Sequence, residues 1–170
     1  CILFSLFQIY TAMFGVLDAQ LQRAVHLSFG LLLIYILYPA RLNWSRKTLH
    51  PLDGFLAIVA ALTPIYIIVN YEQLVRRSGL ETQTDLMVGL IGLLVVVEAA
   101  RRTVGWPMII VAAIFIVYSF LGPYMPNILA HRGLGWDELV SHLYFSTEGI
   151  YGIPLGVSST FIFLFILFGA

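Results

Sequence analysis

Apolar residues along this chain come in long unbroken runs, which fall at about 1–17, 23–39, 54–70, 84–100, 103–122 and 149–170. The third reads GFLAIVAALTPIYIIVN and the fifth TVGWPMIIVAAIFIVYSFLG. A helix rises ~1.5 Å per residue, so crossing a hydrocarbon core of roughly 30 Å takes about 20 mostly apolar residues. Each run approaches or meets that length. Lipid offers the backbone no hydrogen bonds, which leaves helices or a closed barrel, and unbroken runs lack the alternation that a barrel needs. The pattern predicts an all-α, polytopic helical membrane protein with about six transmembrane helices.

One polar-flanked stretch breaks the series. In LGWDELVSHLYFST, Trp136, Leu139, Val140, Leu143 and Tyr144 fall on one helical face, with Asp137 and Glu138 in the first turn, where they favour the helix dipole. The spacing predicts a short helix, either lying in the outer interface with Trp136 and Tyr144 at headgroup level or packed as a connector between spans.

Composition agrees: 60% of residues are hydrophobic and 11% charged, and the mean hydropathy is +0.92. Nine basic and nine acidic side chains cancel, so no charge signature points to nucleic acid. The single cysteine, Cys1, excludes an intrachain disulfide, and His26, His50, His131 and His142 are scattered without zinc-ligand spacing. The first run has neither a basic leader nor a small-residue cleavage site, so it reads as a spanning helix clipped at its start. The last run ends on apolar residues without a polar cap, the pattern expected of a chain cut within a longer one.

The connections carry the charges. Arg41, Arg46 and Lys47 lie between the second and third runs, and Arg101 and Arg102 between the fourth and fifth. The positive-inside rule makes both cytoplasmic, with the amino terminus inside. Arg23, Arg76, Arg77 and Arg132 then fall outside, with Asp18, Glu72, Glu81, Asp85, Asp137, Glu138 and Glu148. Asn43-Trp44-Ser45 matches a glycosylation pattern, which this orientation discounts.

Polar residues inside spans are the candidate chemistry. Glu98 has Arg101 at i+3 and Arg102 at i+4, so a structural ion pair of Glu98 with Arg102 at the interface accounts for it, the alternative being a contact to a neighbouring helix or a coupling pathway. Gln8 and Thr11, one turn apart, read as helix-packing groups, and His26, with no carboxylate in its span, as a packed or interfacial histidine. Ser158, Ser159 and Thr160 follow Gly152, Pro154 and Gly156, residues that can break a spanning helix, which makes the three hydroxyls candidates for lining a cavity. GxSxG, HExxH and paired intramembrane aspartates do not occur, so an enzyme reading has nothing to stand on.

Three stretches, FSLFQIYTAMFGVLDAQLQRAVHLSFGLLLIYILYPAR, IIVNYEQLVRRSG and the run from GLLVVVEAARRTVGWP to Ala170, resemble in order and spacing the amino-terminal part of the fused permeases of TRAP transporters, particularly the subfamily served by TAXI-type solute-binding proteins. The resemblance is most specific from Glu98 to Ala170. It implies a four-helix small-subunit-like domain over 1–101 and the start of the large transport subunit over 102–170. It further implies a bacterial inner-membrane permease in which a periplasmic binding protein delivers a carboxylate-bearing solute and a Na+ or H+ gradient drives uptake. No cofactor is implied for these residues, and the ion and substrate ligands of the family belong to segments that follow. The partners are then the binding protein, the rest of the permease chain and the bilayer. The outer loops 71–85 and 123–148 are the available docking surfaces, with Arg76, Arg77 and Arg132 as docking candidates. A non-transporting membrane scaffold or assembly subunit is the alternative.

Overall fold

The computed structural model describes residues 2–15, 17–40, 50–77, 79–126 and 128–169, and the regular elements among them are all helical. In chain order they are α1 (Ile2–Phe14), α2 (Ala19–Leu37), α3 (Pro51–Val69), the short α4 (Tyr71–Arg76), α5 (Gln83–Thr103) and α6 (Trp106–Leu121), which runs into a 3₁₀ turn. Then come α7 (Trp136–Val140) with a π-turn at Ser141–Phe145, α8 (Ile153–Val157), a second π-turn at Ser158–Ile162, and α9 (Phe163–Gly169). Cys1, Asn43 and the cations Arg41, Arg46 and Lys47, on which the expected orientation partly rests, lie outside the described residues.

Among the described residues four helices, α2, α3, α5 and α6 continued through its 3₁₀ turn to Tyr124, are long and apolar enough to cross a membrane, and on that ground the chain is a helical membrane protein. The outermost two of the six expected spans come out shorter: α1 has 13 residues, or about 20 Å, and the continuous helix Ile153–Gly169 is also below spanning length. Backbone geometry sets the inner end of each. After α1 the chain turns at Gly15, whose φ of 114° favours glycine. Residues 149–152 are drawn into turns instead of helix, with Ile150 N–H donating to Leu143 O at 2.8 Å and Gly152 N–H to Gly149 O at 3.0 Å. Only then does Pro154 open α8 from its first turn.

Small residues set how the helices meet. Ala57 and Ala60 of α3 pack with Leu31 and Tyr35 of α2 and with Val95 and Ala99 of α5, forming one core cluster. Alanines let backbones approach, which matters where lipid is as apolar as any leucine. A second cluster, Ala24, Ile67, Leu74, Tyr144 and Tyr151, joins α2, α3 and α4 to the chain that follows α6. Residues on both sides of Arg101 therefore share one core.

The connector after α6 packs against α5. Leu139, Val140 and Tyr144 are buried, whereas Trp136 stays exposed. Two glycines of α5 make the room: a Cβ on Gly92 would collide with the Tyr144 ring, and one on Gly89 would lie 2.8 Å from carbons of Val140 and Phe145. Burial raises the Tyr144 phenol above the ordinary tyrosine range. It keeps its proton.

Candidate functional site

Three polar assemblies stand out, one at the Arg102 end of α5, one between the helices, and one at the opposite end. At the first, Glu98 accepts from Arg101 Nε at 2.7 Å and from Arg102 Nε at 2.9 Å. These are the spacings of one helix face. Arg102 reaches further, because its Nη1 donates to Asp53 Oδ1 in the first turn of α3 at 2.8 Å and to Tyr38 O at 2.9 Å, while its guanidinium lies 4.4 Å from the Tyr35 ring centroid. The Arg102 and Asp53 side chains are 1% and 3% exposed. One arginine thus ties α5 to the start of α3 and the end of α2. Asp53 is not singled out by the sequence pattern.

The second assembly gathers side chains from α1, α2 and the last helix. Gln8 Nε2 lies 2.6 Å from His26 Nδ1, and Ser158 Oγ lies 3.4 Å from His26 Nε2. His26 thus links α2 to Gln8 of α1 on one ring nitrogen and to Ser158 on the other. Gln22 Nε2 has three acceptors within reach of its two N–H groups, Thr11 Oγ1 at 3.2 Å, Gln8 Oε1 at 3.3 Å and Ser159 O at 3.4 Å. Gln22 is the hub.

Ser159 and Thr160 turn their hydroxyls to their own helix, each donating to Gly156 O at 2.9 Å. Back-bonding of this kind competes with the helical ladder, and a π-turn occupies this same stretch, Ser158–Ile162. Beside it lies a small cavity of about 250 Å3, lined in part by Gln22, Arg23, Gly156, Ser159 and Thr160. Arg23 Nη1 crosses to Tyr151 O at 2.6 Å, with its guanidinium lying against Gly156. Of the three candidates, then, Ser159 and Thr160 border this cavity with their hydroxyls bonded back to Gly156 O, and Ser158 meets His26.

At the opposite end of α5, the two connections expected to face outward meet. Residues Gly79–Glu81 and the first turns of α5 form one wall, and Arg132–Ser146 the other, of an open cavity of about 1000 Å3. Asp85 anchors the first wall: its Oδ2 accepts from Thr82 N at 2.8 Å and Thr82 Oγ1 at 2.7 Å, completing a capping box, and Tyr66 of α3 donates to its other oxygen. Arg77 Nη2 approaches Asp85 at 3.5 Å, and Arg132 Nη2 pairs with Glu138 at 2.7 Å. Arg76 is exposed. Two of the three docking candidates are thus occupied by the chain's own acids.

Among the described residues no group of three or more His, Cys, Asp or Glu is placed to hold a metal ion. Compared with protein-family models, curated proteins and solved structures, the chain matches none.

Proposed function

We propose that this chain is the amino-terminal membrane portion of a TRAP-type permease of the bacterial inner membrane, taking up carboxylate-type solutes handed over by a periplasmic binding protein and driven by a Na+ or H+ gradient. In this reading α1 and the helix from Ile153 serve with the four long helices as six spans, and the amino terminus is cytoplasmic. The resemblance described above names the transport reaction. The observation that carries the role of these particular residues is where the polar groups go: Arg102, Asp53 and Glu98 engage one another, as do Gln8, Gln22, His26 and Ser158. Polar groups bonded to neighbouring helices support a frame, although Gln22 Oε1 and Arg102 Nη2 are buried without a partner and Gln22 also borders the small cavity beside Ser159 and Thr160. These residues then brace the moving part of a transporter and offer its outer face to the binding protein.

The decisive experiment reconstitutes the full-length permease in proteoliposomes with the binding protein encoded beside it and assays uptake of a carboxylate panel under a Na+ or H+ gradient. Gradient-driven uptake that needs the binding protein is the expected result. Folded, correctly inserted permease that moves none of the panel rejects the reading in favour of a non-transporting assembly subunit, which the same rigid frame would also serve. Reporter fusions at Lys47 and Ser78 check the topology, and finding both on one side of the membrane overturns it.

A further inference from the structure

The cavity between the two outer connections has an apolar floor and an acidic rim, and the balance of its charges differs from what its arginines indicate. Leu86, Met87 and Leu90 of α5 and Trp136 of α7 supply apolar surface, with Met87 and Trp136 well exposed. Among the described residues that line it, Glu81, Asp137 and Glu138 stand against one arginine, Arg132, with His142 also in the lining. Arg132 is already paired with Glu138, which also accepts from Gly135 N–H at 3.2 Å. Among the described residues, Glu81 and Asp137 have no ion-pair partner. Glu81 receives one backbone N–H, from Gly79 at 3.1 Å, and Asp137 has no side-chain hydrogen bond among the described residues.

We infer that this groove seats a lysine- or arginine-bearing loop, with an apolar side chain beside the cation, on the surface of the solute-delivering protein. The inference rests on the transporter reading above and adds the chemistry of the contact. An exposed apolar centre inside a polar rim has the anatomy of a protein interface. Its unpaired carboxylates repel the anionic headgroups and phosphates that would make it a lipid seat. It is also open along one side, whereas a small solute is held in a pocket that covers most of its surface. Exposed carboxylates of this kind act mainly on encounter and on partner choice, so their removal should weaken docking without touching the translocation step.

The test uses the full-length permease reconstituted with its binding protein, measuring uptake rate against binding-protein concentration at low ionic strength. Asp137→Lys combined with Glu81→Lys should raise the half-saturating concentration about tenfold or more and leave the maximal rate unchanged, while the milder Asp137→Asn with Glu81→Gln should raise it about threefold. Added salt should weaken docking of the wild type and help the reversed variant. A half-saturating concentration that ignores both pairs of substitutions, or a maximal rate that falls with half-saturation unchanged, overturns the proposal and leaves the transporter reading standing. A change of oligomeric state in the reversed variant places a second copy in the groove and also overturns it. Absence of uptake by the wild type removes the transporter reading and the docking proposal together.

Discussion

An arginine and a carboxylate meet at nearly the same distance in two parts of this molecule, Arg102 with Asp53 at 2.8 Å and Arg132 with Glu138 at 2.7 Å. Geometry alone would rank them equal. The first pair is 1% and 3% exposed and the second 76% and 46%, and that difference decides what each can do. A buried pair whose partner is removed leaves an uncompensated charge, at a cost of about 3–5 kcal/mol. An exposed one is screened by water and salt and contributes about 0–1 kcal/mol. The first holds helices together. The second shapes a surface.

Asp53→Ala should therefore produce the largest effect. It leaves Arg102 with Glu98, which Arg101 shares, as its remaining carboxylate, and the loss of stability should be about 3 kcal/mol, read as a large drop in the midpoint of denaturation in detergent micelles. An unchanged midpoint would mean that Glu98 and Tyr38 O suffice for the guanidinium, and the contrast between the two ends would collapse. Gly92→Ala should come next, because its methyl would displace the Tyr144 ring, an overpacking cost of about 1–3 kcal/mol. Gly30→Ala is the control, since a Cβ there meets nothing within 4 Å. Equal behaviour of the two glycine variants would show that the connector does not depend on its seat in α5.

The interhelical polar cluster lies between these extremes. Gln8→Leu removes a donor to His26 and an acceptor for Gln22, each such bond being worth about 0.6 kcal/mol between membrane helices. A destabilisation of roughly 1 kcal/mol is expected, again from the denaturation midpoint. A cost approaching that of Asp53→Ala would move the anchor of the frame from the charged end to this cluster.

How far these features can be read from sequence follows from where their partners sit. Apolar run length locates α2, α3, α5 and α6, because one helix needs only its own residues to span a bilayer. Glu98 and Arg102 are equally legible, being four apart on one face. Asp53 is not, since it lies 49 residues from Arg102 and only the register of α3 against α5 brings them together. His26 likewise has no partner in its own span; Gln8 and Ser158 arrive from other helices. The capping box at Thr82 and Asp85 carries a local signal, Thr-x-x-Asp ahead of an apolar run, and was available to pattern reading. Where α1 ends and where the helix from Ile153 starts are less visible, because turns at Gly15 and over residues 149–152 take up residues that hydropathy counts as helix.

Arg132→Ala is the smallest effect and the sharpest test of the exposed side of the comparison. The side chain is 76% exposed and its pair with Glu138 spans six residues across the Gly133 and Gly135 turn, so the denaturation midpoint should move by no more than about 0.5 kcal/mol in equivalent stability. Glu138 keeps its bond from Gly135 N–H and its place in the first turn of α7, so the wall of the groove should stay in place. The substitution does change the rim, from three acids and one base to three acids alone. Association with a basic segment should tighten by a few-fold at low salt while stability is unchanged. A variant that loses stability would show that the Arg132 pair is structural despite its exposure, and burial would then no longer be what separates the two ends of the molecule.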